Sequence, residues 1–285
     1  MNNFIRKKFD ESAYSSTKHS SYFHAYEKLF SKYVNKKITF VEVGILNGGS
    51  LFMWREYFGK EARIIGIDNN PKAKIWEDHG FEIFIGDQAN PEFWNYFKKK
   101  IGTVDVLLDD GGHTDLQQAT TLFEFIDNIN DGGVLVVEDV HTSYLKEFGN
   151  PSKLSFVNLT FNLINKLNFR SGALKDFNPT CLNLPVSEIR YFESIIAFAV
   201  DRKNSSISYP IKNGGKTLNI KDFRHKDTER ENIDKVYRKF RFIQNIPVLG
   251  NILKKIMTKF LRLPLYKYSL IKDKKKIKKY YNGKS

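Results

Sequence analysis

The chain lacks three features that would assign it to an oxidising or membrane environment. Its 285 residues include one cysteine, Cys181, so no internal disulfide can form and a reducing compartment is favoured. No uncharged stretch reaches the roughly 18 residues that a membrane-spanning helix needs. The first eight residues are partly cationic, but no apolar segment of the secretory type follows them. We therefore expect a cytoplasmic protein.

Acidic residues are almost missing from the end of the chain, and this explains the overall charge. Residues 235–285 contain 16 lysines and arginines but a single acid, Asp273, so they carry +15 of a net charge of +14. The preceding 234 residues are nearly neutral, at −1. Because the excess positive charge is confined to this tail, the composition does not predict a nucleic-acid-binding groove in the rest of the chain.

Strand and helix patterns alternate through the first two thirds of the chain. Short apolar runs between amphipathic segments are typical of parallel strands that are buried on both faces. The pattern predicts a doubly wound α/β sheet with ligands at the carboxyl ends of its strands. The predicted strands cover residues 38–44, 62–68, 81–87, 104–110 and 133–139. The predicted helices cover residues 20–34, 49–58, 71–79, 92–99 and 115–129.

Four regions are predicted along the chain: a helical segment over 1–37, the α/β domain over 38–200, a polar linker over 201–234 and a basic tail over 235–285. Within the domain, residues 154–167 favour a helix and residues 190–200 favour one or two late strands. In the tail, a new helical pattern begins at Asn245 and is expected to end at Pro264.

A glycine-rich turn with acids at three successive strand ends predicts a cofactor site. Residues 41–50 form a strand, a turn containing Gly44 and Gly48, and a helix start. The turn lacks both the Gly-x-Gly-x-x-Gly pattern and a Walker lysine, which disfavours pyrophosphate binding. Asp68 and Asp87 end the next two strands, and Glu42 lies inside the first. A ligand with an adenosine and an amino-acid end, such as S-adenosylmethionine, fits best, and NAD is the alternative.

A second group of acids follows the fourth and fifth predicted strands. Asp110, Glu138 and Asp139 are candidate ligands for Mg²⁺, because clustered carboxylates are costly to hold together without a cation. His113 follows three residues after Asp110 and is a candidate base that would remove a proton from a hydroxyl. A capping role for His113 and an exposed strand end at residues 138–139 are the plainer alternatives.

These motifs resemble those of the metal-dependent sugar O-methyltransferases that act on macrolide deoxysugars, of the mycinamicin and tylosin type, and the related cephalosporin hydroxylase-like proteins. The similarity covers roughly residues 15–200. It is carried by the segments 40–54, 65–68, 86–88, 109–113 with Gln117 and Gln118, 132–139 and 141–144. The macrolide enzymes have a long N-terminal region without a counterpart here, so their oligomeric arrangement and macrolide pocket are not carried over.

The resemblance implies a Rossmann-like class I methyltransferase fold and a reaction dependent on S-adenosylmethionine and Mg²⁺. It implies Asp110, Glu138 and Asp139 as metal ligands and His113 as the catalytic base. It also implies that Lys18, His19 and Tyr26 belong to a segment that folds over the active site. The candidate cofactor-binding residues are Glu42, Gly44, Gly48, Asp68, Asp87, Gln88 and Asp109.

The acceptor that the resemblance implies is a sugar hydroxyl, and polysaccharide or lipid-linked glycan synthesis is the predicted setting. A catechol-like acceptor is an alternative within the same chemistry, and a non-catalytic, membrane-tethered nucleotide- or glycan-binding module is an alternative outside it. An oligomer is compatible with the sequence.

The tail has an amphipathic pattern of its own. Apolar residues recur at helical spacing between Leu249 and Leu263, with lysines on the opposite face. Such a helix can lie in the interface of an anionic membrane, so a peripheral location at the inner face of the membrane is one prediction. Docking of the apolar stripe on the domain or on a second subunit is the alternative.

Overall fold

The structure is a computed structural model, and it describes residues 4–172, 174, 184–216, 218, 220, 229–239 and 250–281. The chain divides into two compact units; the first ends at Ile211 and the second begins at Lys212. This boundary falls inside the segment predicted to be a linker, and the four-part division remains a prediction. Cys181 and the predicted start of the tail helix at Asn245 lie outside the described residues.

A seven-stranded mixed sheet forms the centre of the first unit. The strand order is β3-β2-β1-β4-β5-β7-β6; the first five are parallel, and β7 is antiparallel to both of its neighbours. This order confirms the predicted doubly wound sheet and adds a closing hairpin. The strands are β1 (Thr39–Val43), β2 (Arg63–Asp68), β3 (Glu82–Ile85), β4 (Val104–Asp109), β5 (Ile129–Val137), β6 (Val186–Phe192) and β7 (Ile195–Val200).

Two of the helices begin at residues that cap their first backbone amides. Thr114 and Gln117 form a capping box before one helix, and Asn90 caps another that starts with a proline. Residues 71–79, predicted to be an α-helix, form a 3₁₀ segment instead. The helices of the first unit are α1 (Phe4–Asp10), α2 (Tyr22–Phe30), α3 (Gly49–Phe58), α4 (Pro91–Ile101), α5 (Asp115–Phe125) and α6 (Phe156–Asn168).

Two hydrophobic clusters cover the two faces of the sheet. On β1, Phe40 belongs to the cluster formed with α1, α2 and α3, whereas its neighbour Val41 belongs to the cluster formed with α4, α5 and α6. Successive side chains of a strand point to opposite faces, so a continuous apolar run is needed where both faces are covered. Aromatic rings dominate the first face, where Trp54 contacts Tyr26 and Phe58.

The helices described in the second unit are α7 (Glu229–Lys239), α8 (Gly250–Met257), a π-helical turn over Thr258–Arg262, and α9 (Leu263–Tyr281). The prediction that Pro264 ends a helix is wrong, because α9 runs through it. The Leu263 amide bonds to the Thr258 carbonyl five residues back, and this wider turn removes the usual clash of proline with the preceding helical turn. None of the described helices is long and apolar enough to cross a membrane.

Candidate active site

A cavity of about 370 Å³ opens where the parallel strands end. Its walls come from the turns after β1, β2, β3 and β4 and from residues 15–18, which lie between α1 and α2. The order of the strands reverses between β1 and β4. Gly44 and Asp110, which directly follow these two strands, both line the cavity. The cavity therefore occupies the position where doubly wound sheets bind their ligands.

The turn after β1 approaches its neighbours too closely for a side chain. Gly44 has a φ of +82°, and a Cβ at this position would lie 2.2 Å from the carbonyl oxygen of Asp110. Glycine adopts this left-handed conformation without the steric penalty of other residues. The amides of Ile45 and Leu46 donate to Oδ2 of Asp68 over 3.1 and 3.0 Å. The Asp68 carboxylate therefore fixes a turn whose backbone forms one wall of the cavity.

The seven predicted cofactor-binding residues divide into two sets. Those that line the cavity are Gly44, Asp68, Asp87 and Gln88. Those that the structure places behind the described lining are Glu42, Gly48 and Asp109. The first set brings the three predicted strand ends together around one space.

The second set supports the wall. Glu42 is fully buried and accepts a hydrogen bond from Ser50 Oγ over 2.7 Å. At Gly48, a Cβ would lie 2.4 Å from the ring of Trp76, so this glycine permits close packing. Direct cofactor contacts by Glu42, Gly48 and Asp109 stay predictions.

Asp109 is held in a buried polar network. Gln88 Nε2 lies 2.9 and 3.1 Å from its two carboxylate oxygens, and Gln88 Oε1 accepts from the amide of Gly112. Burial raises the pKa of Asp109 to about 6, although the bonds from Thr121 and Gln88 oppose the shift. This network joins the ends of β3 and β4 below the cavity and orients Gln88.

One ammonium group is buried among three carboxylates next to the cavity. Lys18 Nζ lies 2.5 Å from Oδ2 of Asp110 and 3.0 Å from Oε2 of Glu138. It also lies 3.6 Å from Oε1 of Glu42, and the Lys18 side chain is only 2% exposed. Asp110 and Glu138 meet there because they directly follow the neighbouring strands β4 and β5.

The protonation of this cluster reflects an excess of negative charge. Burial opposes the charged form of Lys18, but the attraction of Asp110 and Glu138 prevails, and the pKa of Lys18 is raised well above its ordinary value. Burial also raises the pKa of Glu138 and that of Glu42. One ammonium does not balance three carboxylates, and carboxylate oxygens are preferred ligands of Mg²⁺, so the chemistry of this donor set fits a divalent cation.

Two tyrosines of α2 hold the carboxylates that follow β5. Tyr22 donates its hydroxyl to Oδ1 of Asp139, and Tyr26 donates to Oε1 of Glu138. Burial raises the pKa of Tyr26 well above its ordinary value, so its hydroxyl remains a donor. The segment before the sheet thus contributes three partners of the site carboxylates: Lys18, Tyr22 and Tyr26.

His113 and Asp139 adopt the left-handed conformation that non-glycine residues seldom use, with φ values of 59° and 53°. Among the described residues, two groups of side chains bring possible metal-ligating atoms within 4.8 Å of one another. One joins Asp110, His113 and Asp139, and the other joins His19, Asp139 and His141. The structure therefore brings the predicted base beside two of the three predicted ligands. Glu138, the third, is bonded to Tyr26 and Lys18, and its metal role stays a prediction.

A second cavity, of about 180 Å³, lies beside this group. His141 lines it and places Nδ1 3.8 Å from Oδ1 of Asp139, which connects the cavity to the carboxylate cluster. The exposed aromatic rings of Tyr144, Phe161 and Tyr191 form much of its wall. The term "aromatic cavity" refers below to this space.

Tyr22 and the aromatic cavity are not among the features predicted from the sequence. Tyr22 lies four residues before Tyr26, so the two share one face of α2, and this spacing was an available signal. The aromatic cavity combines α6, the β6–β7 hairpin and the segment after β5, and local sequence patterns do not indicate that these meet.

Comparison with known proteins shows that part of the chain is similar to methyltransferases. Residues 41–140 match the family model described as a methyltransferase domain. The chain is 28% identical over 198 residues to 8-demethyl-8-alpha-L-rhamnosyl tetracenomycin-C 2'-O-methyltransferase of Streptomyces olivaceus, covering 65% of this chain and 51% of that protein. It is 29% identical over 131 residues to mycinamicin VI 2''-O-methyltransferase of Micromonospora griseorubida, covering 44% of this chain and 32% of that protein.

A solved structure has the same fold. MycE methyltransferase of the mycinamycin pathway, in complex with Mg, SAH and mycinamycin VI, superposes with a TM-score of 0.60 at 21% identity. The match covers 72% of this chain and 54% of MycE, so the chain spans about half the length of this relative. Residues 41–140 thus match a methyltransferase domain family, and the sheet order and the superposition show that the chain has the Rossmann-like class I methyltransferase fold.

Proposed function

We propose that the chain is an O-methyltransferase that uses S-adenosylmethionine and Mg²⁺ to methylate a sugar hydroxyl. One observation carries this proposal: a cavity large enough for the donor, a carboxylate cluster and His113 lie together at one edge of the sheet. The named activities of the two curated relatives, which are sugar 2'- and 2''-O-methyltransferases, support it.

The donor site is assigned to the first cavity. S-adenosylmethionine supplies an activated methyl group on its sulfonium. The Gly44 turn would face the amino-acid end of the donor, and Asp68 would accept hydrogen bonds from the ribose hydroxyls, as acids do at the end of the second strand in nucleotide-binding sheets. Asp87, exposed at the end of β3, is assigned to the adenine edge.

The reactive group is assigned to the acids after β4 and β5. Asp110, Glu138 and Asp139 would hold Mg²⁺, which acts as a Lewis acid toward a hydroxyl. His113 accepts the hydroxyl proton, since its Nε2 faces the cluster 3.4 Å from Oδ2 of Asp139. The adjacent carboxylate stabilises the positive charge that the ring gains.

The acceptor is assigned to the aromatic cavity. Binding sites for small organic molecules are largely apolar and aromatic, with a few polar groups that fix orientation. The aromatic cavity combines the rings of Tyr144, Phe161 and Tyr191 with His141 and Ser194. A deoxysugar, which has an apolar face and hydroxyl groups, suits this lining, and a cell-surface or lipid-linked glycan would present such a sugar.

Two measurements on the intact chain test the proposal. Calorimetry with S-adenosylhomocysteine and with NAD should show binding of the first alone; binding of NAD alone would refute the donor assignment. Incubation with S-adenosylmethionine, Mg²⁺ and p-nitrophenyl α-L-rhamnoside should then give a methylated sugar by mass spectrometry, and chelation of the metal should abolish it. Methylation of catechol but of no glycoside would point to the other acceptor class.

We propose separately that the tail binds anionic membrane surfaces. In the described part of α8 and the π turn, Ile252, Ile256 and Phe260 expose their apolar side chains at helical spacing. The chain should therefore sediment with phosphatidylglycerol vesicles and not with phosphatidylcholine vesicles. Changing Ile256 and Phe260 to serine should weaken this binding, whereas changing the exposed Ile75 and Tyr96 to serine should not. Equal sedimentation of both variants would contradict the proposal.

A further inference from the structure

Lys18 occupies an unusual position for a lysine. Lysines are almost never fully buried unless they are paired, and this side chain is 2% exposed between Asp110 and Glu138. It reaches the cluster from the segment between α1 and α2, 92 residues away from Asp110 along the chain. Its ammonium contacts one oxygen of each of the two carboxylates that directly follow β4 and β5.

We infer that the Lys18 ammonium and a divalent cation compete for the same position between Asp110 and Glu138. Binding of the cation by both carboxylates then displaces Lys18 and loosens the segment that covers the donor cavity. This inference rests on the proposed function for the identity of the metal. The new element is that Lys18, which is part of the same chain, competes with the metal for its site.

The two cations cannot share this space. Mg²⁺ binds carboxylate oxygens at about 2.1 Å, a distance that places it among the atoms that Lys18 now contacts. Lys18 Nζ is 2.5 Å from the Asp110 oxygen and 3.0 Å from the Glu138 oxygen. If the ammonium stayed in place, an ion bound to both oxygens would lie so close to it that the two positive charges would repel each other strongly.

Displacement of Lys18 affects the donor cavity because residues 15–18 line it. The preceding residues are anchored independently: Ser12 Oγ donates to the carbonyl of Gly49 over 2.8 Å, and the Tyr14 ring packs against Phe52 and Trp76. Release of Lys18 would leave these contacts intact. Opening is therefore confined to the stretch between Tyr14 and α2, which includes the part of the cavity wall formed by residues 15–18.

Metal binding by the protein alone tests the competition, with Mn²⁺ as the probe and electron paramagnetic resonance as the readout. Lys18→Met removes the competing charge and keeps an unbranched side chain only one atom shorter, so Mn²⁺ affinity should rise about tenfold or more. Lys37→Met, at an exposed lysine before β1, is the matched control and should bind as the wild type does. Equal or weaker Mn²⁺ binding by Lys18→Met would overturn the inference.

Hydrogen exchange on the wild-type chain provides a second test that needs no folded variant. Addition of Mg²⁺ should speed amide exchange in residues 15–18 and leave exchange in α3 unchanged. Slower or unchanged exchange in residues 15–18 would overturn the inference while leaving the proposed function intact. If neither the wild type nor Lys18→Met binds Mn²⁺, the metal assignment of the proposed function fails, and the inference fails with it.

Discussion

His113 Nε2 lies 3.4 Å from Oδ2 of Asp139, and both residues hold a left-handed backbone. Such conformations cost free energy in non-glycine residues and persist where the surrounding structure enforces them. Thr142 helps to enforce them, because its hydroxyl contacts the backbone carbonyls of both His113 and Asp139 at 2.8 and 2.9 Å. The fold thus holds a base and a carboxylate together by constraining the turns on which they lie.

Replacement of His113 tests its assignment as the base. His113→Asn keeps a residue that tolerates the left-handed conformation but removes the proton acceptor. Methyl transfer should fall about a hundredfold to ten-thousandfold, the range that a general base contributes. Calorimetry should show unchanged binding of S-adenosylhomocysteine.

The matched control for this variant is His24→Asn, at an exposed position of α2. It should transfer methyl groups at the wild-type rate. If His113→Asn also retains that rate, His113 is not the base. If it loses donor binding, the residue acts in the donor cavity instead.

Replacement of Asp68 tests where the donor binds. It accepts the amides of Ile45 and Leu46, and its assigned ligand is the ribose. Asp68→Asn should weaken S-adenosylhomocysteine binding about tenfold to a hundredfold, the cost of losing a hydrogen bond to a charged group. Asp78→Asn, at an exposed position of the segment 71–79, should bind as the wild type does. Equal affinity in both variants would exclude Asp68 from the donor site.

The features that the sequence predicts are those that depend on local residue patterns and on the order of the strands. Parallel strands that are buried on both faces have an unmistakable apolar signature, and acids at the ends of adjacent strands such as β4 and β5 must meet. The approach of Asp110, Asp139 and His113 follows from this. Glu138 shows the limit, because its partners Tyr26 and Lys18 come from a distant segment.

The remaining features depend on contacts between distant parts of the chain. Nothing near Lys18 in the sequence indicates that its ammonium is buried, since an isolated lysine in a polar stretch is ordinarily solvated. The start of β5 was also misplaced. Residues 130–133 are Asn-Asp-Gly-Gly, a typical turn composition, and they form an irregularity inside β5 rather than a turn before it. Ile129 pairs with Val104 and Val134 pairs with Val106, so β5 begins four residues earlier than predicted.

Gly44 provides a test of the close approach between the turn after β1 and the turn after β4. Gly44→Ala would place a Cβ 2.2 Å from the Asp110 carbonyl oxygen at a φ of +82°. Gly80 has nearly the same φ, +80°, but no atom of the described residues lies within 4 Å of its Cβ position. Gly80→Ala should therefore cost only the backbone strain, about 1–2 kcal/mol of unfolding free energy.

Gly44→Ala should cost at least about 2 kcal/mol more than Gly80→Ala, since it adds a backbone clash to the same strain. Urea denaturation of the two variants measures the difference. Gly44→Ala should also bind S-adenosylhomocysteine less tightly, because the displaced turn forms the cavity wall. Equal destabilisation by the two substitutions would show that the turns have room to separate.

Asp109 makes the stability of the fold depend on pH. Burial raises its pKa from the ordinary 3.8 to about 6, so between these values the folded state binds more protons than the unfolded state. Stability from this group therefore falls as pH rises from about 4 to about 6, by about 3 kcal/mol in total. Asp109→Asn cannot ionise, so the unfolding free energy of the wild type minus that of the variant should fall by this amount between pH 4 and pH 7. Parallel pH profiles would contradict the raised pKa.

Thr121→Val separates the ionisation of Asp109 from the loss of a hydrogen bond. It keeps the carboxyl but removes a hydroxyl whose contact lowers the pKa of Asp109. Without that contact the pKa of Asp109 should rise further, so the pH range over which stability falls should extend upward. Thr121 also accepts a hydrogen bond from Gln88 Nε2 over 3.1 Å, so the variant should be less stable at every pH. A uniform loss without an upward extension would mean that the pH dependence arises from a carboxyl other than Asp109.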